Sequence, residues 1–210
     1  MLLCQVNDRT ELRLVEFQHA AGLFALIDAN REHLRRWHGW VDSIRTTADL
    51  EKCIGAWHQQ MRVNGGFQTG IWHDDRLCGM IGHLHTDSTN RWTAITYWMD
   101  AAHQGKGIMT ACCRSLVLHS FQKLKLNRVT IECATANLRS RAIPERLGFT
   151  LEGVIRRVEW LHDHHVDHAI YGLLHSDEAV YELRNTRTGS IFVPSWPDDS
   201  TANQLTCQTR

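Results

Sequence analysis

Two glycines, Gly105 and Gly107, stand in the middle of the chain, where an apolar, strand-like run gives way to a helical pattern. The run ends at Asp100, and apolar residues recur at helical spacing over residues 113–124. The first four N–H groups of a helix have no partner within it, and the helix dipole is positive at that end. A glycine turn in this place therefore predicts a cradle of backbone N–H groups for a phosphate. A tight turn that binds nothing is the alternative interpretation.

The spacing of these glycines excludes two common nucleotide-binding motifs. A P-loop requires Gly-x-x-x-x-Gly-Lys-Ser/Thr, and a dinucleotide turn requires Gly-x-Gly-x-x-Gly. The segment from Gly105 to Thr110 reads Gly-Lys-Gly-Ile-Met-Thr and fits neither. It resembles the acyl-CoA pyrophosphate loop of the GCN5-related N-acetyltransferases (GNAT), Gln/Arg-x-x-Gly-x-Gly/Ala, with Gln104, Gly107 and Met109 in the three places. Met109 replaces the small residue that is usual there.

Three further motifs agree with this family in their order and spacing. They are Asn-x-x-Ser at Asn137 and Ser140, Leu-Gly-Phe-x-x-Glu-Gly-x-x-Arg from Leu147 to Arg156, and Asp-x-x-x-Tyr-x-Leu-Leu from Asp167 to Leu174. The Tyr-Trp pair before the glycine turn and the Met-Thr pair after it are similar to the RimJ/RimL branch, which acetylates the N-termini of ribosomal proteins. The resemblance covers roughly residues 9–174.

The resemblance implies direct acetyl transfer from acetyl-CoA to an amine, without a covalent enzyme intermediate. The amine must be neutral to attack, and because an α-amino group has a pKa of about 8, one general base is sufficient. By the resemblance, Glu159 is the base and Ser140 is the proton donor to the departing thiolate. The alternatives are a half-exposed strand glutamate paired with an arginine, and an ordinary helix N-cap serine.

The resemblance also implies which residues bind acetyl-CoA. Asn137 would hydrogen-bond the pantetheine amides, and Trp98 and Met99 would offer main-chain groups to the pantetheine arm. The pyrophosphate would bind the turn formed by Gln104, Gly105, Lys106, Gly107, Ile108, Met109 and Thr110. The side chains of Lys106 and Arg141 are candidate phosphate contacts, although solvated surface charge is the favoured interpretation of both.

Two segments are candidates for contact with the acceptor. Trp37 and Trp40 match a family segment beside the acceptor cleft, although packing in a core is the favoured interpretation. Residues 162–168 are rich in His and Asp, which are metal ligands, and His162 and His164 would share one face of a strand. Because polar residues are expected at a hairpin turn in any case, we expect no metal at this segment.

Charge and composition restrict the class of protein. Lys+Arg 23 and Asp+Glu 23 give a formal net charge of +0, which argues against a strongly basic nucleic-acid-binding surface. No apolar run approaches the ~20 residues that span a bilayer, and the first eight residues lack the features of a signal peptide. The 7 cysteines, without Cys-x-x-Cys spacing, indicate reduced thiols, mostly in the core of a cytoplasmic protein.

Periodicity predicts the elements that position these residues. Strands are expected at residues 11–15, 67–73, 77–84, 93–99, 128–133, 150–161 and 166–174. Helices are expected at 18–30, from an N-cap at Thr47, after Gly107, and at 137–147, where Pro144 would fall in the first turn or so. The expected fold class is α+β, a GNAT fold. Its central, mostly antiparallel twisted sheet has about six to seven strands, is flanked by helices, and has a V-shaped splay between strands four and five.

One acetyltransferase domain is expected at residues 1–175, followed by a partly disordered extension at 176–210. The favoured function is acetylation of a primary amine, most of all the N-terminal α-amine of a protein or peptide. One alternative is a small-molecule acetyltransferase that acts on an amino sugar, a polyamine, or an aminoacyl-nucleotide toxin or antibiotic. The other is a non-catalytic acyl-CoA-binding protein. A homodimer is left open.

Overall fold

The sheet at the centre of the protein has eight strands. The computed structural model describes residues 2–63 and 65–185 of the chain. In chain order the strands are β1 (Leu2–Asn7), β2 (Thr10–Leu14), β3 (Phe67–His73), β4 (Arg76–Asp87), β5 (Trp92–Met99), β6 (Arg128–Ala134), β7 (Thr150–Leu161) and β8 (His164–Leu174). Their order across the sheet is β1-β2-β3-β4-β5-β6-β8-β7. Every neighbouring pair is antiparallel except β5 with β6.

Helices cover both faces of this sheet. In chain order they are α1 (Ala20–Ala29), α2 (Arg31–Arg35), α3 (Thr47–Arg62), α4 (Ile108–Gln122), α5 (Leu138–Arg146) and α6 (Glu178–Asn185). The first three share one buried cluster, which contains Leu23, Leu50 and Trp98. The last three share a second cluster, which contains Met99 and Leu116. Because successive side chains of a strand point to opposite faces, Trp98 and Met99 enter different clusters. The predicted α+β fold is confirmed.

The sheet opens between β5 and β6. These strands pair in parallel only from Trp92 opposite Arg128 to Ile95 opposite Ile131. β5 continues to Met99, and over this part only β4 accompanies it. The opening lies between the fourth and fifth strands predicted from the sequence, so it agrees with the predicted V-shaped splay. It leaves the second half of β5 without a strand partner on one side.

The N-cap residue of α3 lies one position before the predicted cap. Thr46, and not Thr47, is the N-cap residue, and its side chain accepts from the Asp49 N–H at 3.2 Å. The Asp49 carboxylate in turn accepts from the Thr46 N–H at 3.0 Å. This reciprocal pair needs an acceptor side chain three residues after the cap. Asp49 satisfies that spacing for Thr46, whereas Thr47 has Leu50 in the same relation.

Three described elements, β1, α2 and α6, were not expected from the sequence. β1 forms a hairpin with β2, and its buried side chains include Cys4 and Val6. It raises the strand number to eight. α6 lies at the start of the predicted extension, buries Val180 and Leu183, and accepts a hydrogen bond at the Leu183 carbonyl from Arg114 Nε at 2.9 Å. Residues 186–210 lie outside the described residues, and their expected disorder stays a prediction.

Candidate active site

The glycine turn leads directly into α4. Gly105 and Gly107 have left-handed backbone, with φ of 76° and 77°, which other residues rarely adopt. Gly107 is the N-cap residue, and its carbonyl accepts from the Ala111 N–H at 3.0 Å. No side chain of the described residues caps α4, and a Cβ at either glycine would meet no atom within 4 Å. The first turn, Ile108 to Thr110, therefore presents its N–H groups to open space.

Gln104, just before the turn, connects three elements. Its amide nitrogen donates to His33 Nε2 in the middle of α2 at 2.9 Å, and its amide oxygen accepts from Arg139 Nη1 of α5 at 2.7 Å. These contacts assign the orientation of the amide and place the ring proton of His33 on Nδ1. Because protein groups already bind the Gln104 side chain, only the backbone of Gln104 is free to make the predicted contact with a phosphate.

Ser140 lies in the first turn of α5, beside β5. Asn137 Oδ1 accepts from the Ser140 N–H at 3.2 Å, so Asn137, and not Ser140, caps this helix. The Ser140 hydroxyl donates to Tyr97 Oη at 3.3 Å, and the Tyr97 hydroxyl donates to the Ser140 carbonyl at 3.1 Å. Burial raises the pKa of Tyr97 well above its usual value, so the phenol keeps its proton. Sequence reasoning assigned no role to Tyr97.

Pro144 explains why the Ser140 carbonyl is available to Tyr97. We predicted this proline in the first turn or so of the helix, but it is the seventh residue of the nine in α5. Proline has no N–H, so the carbonyl four residues earlier, that of Ser140, lacks its helical partner. The hydroxyl of Tyr97 fills the vacancy. A proline inside this helix is therefore tolerated because a neighbouring strand supplies the missing donor.

A bulge in β7 precedes Glu159. Residues 156–158 of β7 stand opposite Asp167 alone, and the Arg157 N–H donates to Asp167 Oδ1 at 2.8 Å. Arg157 has a φ of 54°, the left-handed conformation that lets the strand bulge. Glu159 Oε2 accepts from His168 Nε2 at 2.9 Å, and the carboxylate side chain is half-buried. The partner of Glu159 is thus a histidine, and not the arginine considered from the sequence.

One cleft contains the glycine turn, Ser140 and Glu159. Its volume of about 2370 Å³ exceeds the ~300–1,000 Å³ of a pocket for a drug-sized molecule. The predicted site residues that line it are Trp37, Trp40, Trp98, Met99, Gln104, Gly105, Gly107, Ile108, Met109, Thr110, Asn137, Ser140 and Glu159. Lys106 borders a separate, smaller pocket. Arg141 donates to Tyr171 Oη at 2.9 Å instead of pointing to the turn. The cleft thus combines an anion cradle, a hydroxyl and a carboxylate.

The two segments proposed to meet the acceptor lie together at one wall of the cleft. The ring centroid of Trp40 is 6.1 Å from that of Trp98, and Trp40 is 39% exposed. The tip of the β7–β8 hairpin reaches the same segment, since His162 Nε2 donates to the Arg35 carbonyl at 2.7 Å. The other ring nitrogen of His162 lies 3.3 Å from Asp42 Oδ2. The tryptophan segment and the His-rich turn therefore form one surface.

Within residues 2–63 and 65–185, no group of three or more His, Cys, Asp or Glu side chains is arranged to hold a metal ion. His162, His164 and His168 make separate contacts, the last two with Asp163 and Glu159. All six cysteines of these ranges are free thiols, and five of them are buried. Over the same residues, no helix has both the length and the apolar character needed to cross a bilayer.

Comparison with known proteins places these features in a family. A family model described as an acetyltransferase (GNAT) domain matches residues 9–150. YdaF of Bacillus subtilis (strain 168), which carries the provisional name of a ribosomal N-acetyltransferase, is 39% identical over 176 residues, 83% of this chain and 96% of YdaF. The ribosomal-protein-serine acetyltransferase of Escherichia coli (strain K12) is 29% identical over 80% of this chain and 93% of its own length.

One similar protein has been solved with its ligands bound. The microcin C7 self-immunity acetyltransferase MccE, solved in complex with acetyl-CoA and AMP, is 27% identical to this chain. The two structures superpose with a TM-score of 0.77 over 80% of this chain and 94% of MccE. The match extends beyond the glycine turn to nearly the whole length of that protein.

Proposed function

The chain belongs to the GNAT acetyltransferase family, and from this premise we propose that it moves the acetyl group of acetyl-CoA to the N-terminal α-amine of a protein or peptide. The observation that carries the proposal is the single cleft that contains the α4 glycine turn, Ser140 and Glu159. We place this activity in a domain at residues 1–175 of a cytoplasmic protein.

The cofactor side of the cleft offers donors and a free strand edge. The N–H groups of Ile108 to Thr110, with the positive end of the α4 dipole, suit the diphosphate of acetyl-CoA. β5 beyond Ile95 has no strand partner toward β6, so main-chain groups near Trp98 and Met99 are available to the pantetheine amides. With the diphosphate at the turn and the pantetheine arm in the splay, the thioester would lie near the start of α5.

Glu159 and Ser140 then share the proton transfers. Glu159 removes the proton of the acceptor ammonium, directly or through a water, so that the nitrogen lone pair can form a bond to the acetyl carbon. As the bond from that carbon to sulfur breaks, the Ser140 hydroxyl turns from Tyr97 Oη and donates its proton to the sulfur. The excess proton of the acceptor nitrogen then passes through water to restore the Ser140 hydroxyl. His168 fixes the Glu159 carboxylate, and Tyr97 fixes the Ser140 hydroxyl.

The acceptor wall supports a protein or peptide as the substrate. Trp37, Trp40 and the hairpin tip at His162 offer aromatic and polar surface next to Glu159. The E. coli relative is named for acetylating a serine of a ribosomal protein. With a formal net charge of +0, the chain has little means of binding RNA non-specifically, so we expect recognition of the protein itself.

A second candidate function is acetylation of a small amine linked to a nucleotide. The similarity to MccE, whose structure contains AMP with acetyl-CoA, favours this candidate over other small molecules. A purine ring can stack on Trp37 or Trp40, since aromatic side chains stack on every base. Both candidates use the same cofactor side and the same base.

A panel of acceptors separates these functions. The protein is incubated with acetyl-CoA and N-terminal peptides, aminoacyl-nucleotide analogues, polyamines or amino sugars, and release of free thiol is followed. We expect turnover with peptides that begin with a small residue, and a mass increase of one acetyl group at the α-amine. Turnover with the nucleotide analogues alone would favour the second candidate. Tight binding of acetyl-CoA without thiol release for any amine would contradict both.

We further propose that two copies of the chain associate through β7. Its outer edge has no strand partner among residues 2–63 and 65–185. Large apolar side chains along it are about half exposed, namely Leu151, Val154, Ile155, Val158 and Trp160. The strand carries two carboxylates and two guanidiniums, so a second copy brings no net charge to the contact. An exposed apolar edge strand is a template for pairing, and a second copy of β7 suits it.

A further inference from the structure

We infer that Glu132 of β6 selects the acceptor by pairing with a cationic Lys or Arg side chain at the second or third residue of the peptide. The inference rests on the proposed function, because it names a feature of the acceptor that enters the same cleft. No sequence motif assigned a role to Glu132. Its position where the sheet opens, its exposure in the cleft and its lack of a charged partner support this role.

Glu132 lies at the point where the sheet opens. The last pair between β5 and β6 is Ile95 with Ile131, so Glu132 is the first residue of β6 beyond this pair. Ile131 and Cys133 belong to the buried cluster that α4, α5 and α6 share. Because side chains alternate along a strand, Glu132 points to the other face of the sheet, where it is exposed and lines the cleft.

Glu132 shares this face with the proposed base. Glu132 is opposite Ile170 of β8, and Ala134 is opposite His168. Residues that are directly opposite point to the same face, so Glu132 and His168 are diagonal neighbours there. His168 Nε2 in turn donates to Glu159 Oε2 at 2.9 Å. Two residues along the strand, about 7 Å, therefore separate Glu132 from the position opposite the histidine that holds the base.

The carboxylate of Glu132 has no cation beside it. Within residues 2–63 and 65–185 it forms no ion pair, whereas Glu152 of β7 pairs with Arg128. Glu159 is likewise engaged by His168. The Lys and Arg side chains that line the cleft lie in or next to α4, α5 and α6 on the other face, namely Arg114, Lys123, Arg139, Arg146 and Arg184. The acceptor face of the cleft thus has a negative charge that the fold does not neutralise.

A peptide with a second positive charge suits this arrangement. With its α-amine at Glu159, an extended acceptor that runs toward Glu132 advances about 3.3 Å per residue, so its second or third residue lies over Glu132. A Lys or Arg side chain there would pair with the carboxylate in a cleft that the peptide itself shields from water, where salt screens an ion pair less than at a free surface. An acidic side chain in the same place would meet a like charge. Glu132 is therefore a specificity-determining residue that takes no part in the proton transfers.

Acceptor peptides that differ in one side chain test this assignment. Lys, Gln or Glu is placed at the second or the third residue of one N-terminal peptide, and kcat/KM is measured by thiol release at saturating acetyl-CoA. We expect wild-type protein to favour the Lys peptide over the Gln peptide about tenfold at one of the two positions, the usual effect of a hydrogen bond between charged groups. E132Q should reduce this ratio to within about twofold, because a neutral amide forms no ion pair. E132K should favour the Glu peptide instead.

E51Q is the matched control, since it removes the same charge from an exposed position of α3 that does not line the cleft. It should leave the ratio between the Lys and Gln peptides unchanged. Because Glu132 is exposed, the melting temperature of E132Q should equal that of wild-type protein.

The outcomes separate this inference from the proposed function. Equal kcat/KM of wild-type protein for Lys and Gln peptides at both positions, or a Lys preference that persists in E132Q, would overturn the role of Glu132 while leaving acetyl transfer to peptides intact. An equal loss for all three peptides in E132Q would also overturn it, because such a loss indicates a part in the chemistry. Cadaverine carries a second cation without a peptide backbone, and turnover of cadaverine above that of every peptide would overturn the assignment to a peptide. Absence of thiol release with every amine would contradict the proposed function itself.

Discussion

At the scale of single residues, the groups proposed for proton transfer are held by partners that are distant in sequence or brought close by a bulge. Ser140 is held by Tyr97, 43 residues earlier in the chain. Glu159 is held by His168 across the β7–β8 hairpin. A side chain fixed by such a contact loses less freedom when the substrate arrives, and it presents its reactive atom in one orientation. Both pairs predict a loss of kcat while binding of acetyl-CoA is retained.

Replacement of Glu159 by Gln removes the base and keeps the size of the side chain. We expect kcat to fall about 100-fold or more, as is typical for loss of a general base, with little change in the KM for acetyl-CoA. H168Q should cost less than H168A, because a glutamine can still donate to Glu159 Oε2. Steady-state kinetics with a peptide acceptor measures these effects, and E51Q on the exposed face of α3 is the control. An unchanged kcat in E159Q would remove the assignment.

Replacement of Ser140 by Ala removes the proposed donor to the departing sulfur. We expect kcat to fall about 10- to 100-fold while the affinity for acetyl-CoA stays near normal. Y97F leaves the hydroxyl of Ser140 in place but removes its acceptor, so a smaller loss of kcat is expected. Thiol release, compared with binding measured by calorimetry, distinguishes the two effects. S88A, in the exposed turn between β4 and β5, is the control, and wild-type turnover in S140A would contradict the role.

At the scale of elements, the sequence predicted the features that depend on residues adjacent in the chain. The glycine turn and the long helix after it were predicted because left-handed glycines and an apolar stripe are features of adjacent residues. β1 was not predicted, since its six residues are stabilised by pairing with β2 and by burial of Cys4 and Val6. α6 accepts a hydrogen bond from Arg114 of another helix, a contact that its own sequence does not reveal. The position of Pro144 could not be predicted either, because its missing donor is replaced by a residue of β5.

The approach of β4 to β5 requires a glycine at position 79. A Cβ at Gly79 would lie 2.9 Å from Met99 Cα and would also collide with the Trp98 carbonyl. We therefore expect G79A to lower the free energy of unfolding by about 2 kcal/mol or more, the cost of overpacking. G22A, in α1 with no atom within 4 Å of the added Cβ, should instead raise it by about 0.5–1 kcal/mol.

Urea unfolding of both variants measures the difference. Because each replaces a glycine by the same residue, a common effect on the unfolded chain cancels in the comparison. Equal stability of G79A and wild-type protein would show that β4 and β5 can move apart without cost, which would contradict a closely packed β4–β5 pair next to the cleft.

At the scale of the whole molecule, the middle of the sheet is buried on both faces, whereas one of its edge strands is exposed. Both faces are covered along the middle strands, where His83 is fully buried beside Ser120 and the ring of Phe67. At one end, β7 is exposed along almost its entire length. A fully buried titratable group makes the stability of the molecule depend on pH, and an exposed apolar strand makes its assembly depend on concentration.

Acid should destabilise the protein through His83. Burial, with a smaller contribution from the neighbouring His119, lowers the pKa of His83 from 6.5 to about 3. The unfolded chain binds a proton at this residue below pH 6.5, and the folded protein does not. This stabilisation is therefore complete above pH 6.5 and is lost as the pH falls toward 3, by about 1.4 kcal/mol per pH unit.

Replacement of His83 by Asn tests whether His83 causes the loss of stability at low pH. The difference in unfolding free energy between pH 7 and pH 5 should shrink by about 2 kcal/mol in H83N, as measured by urea unfolding at the two values. H83N removes the Nε2–H group that donates to Ser120 Oγ, whose own proton goes to the Leu116 carbonyl, and this loss is the same at both pH values and cancels in the difference. H85Q, at an exposed histidine of the same strand, controls for the loss of an imidazole. An undiminished difference in H83N would contradict a buried neutral His83.

Association through β7 can be tested with a charge on its apolar row. Ile155 is 48% exposed, and an aspartate there would put a like charge on both copies where an apolar contact is proposed. Sedimentation velocity should give wild-type protein twice the 24.2 kDa chain mass, and I155D the mass of one chain. L124D, at an apolar residue of similar exposure outside β7, should leave the dimer intact. β7 was chosen because no other strand leaves so long an apolar edge open in residues 2–63 and 65–185. A wild-type monomer would contradict the proposed association, and a dimer that survives in I155D would show that the contact does not involve β7.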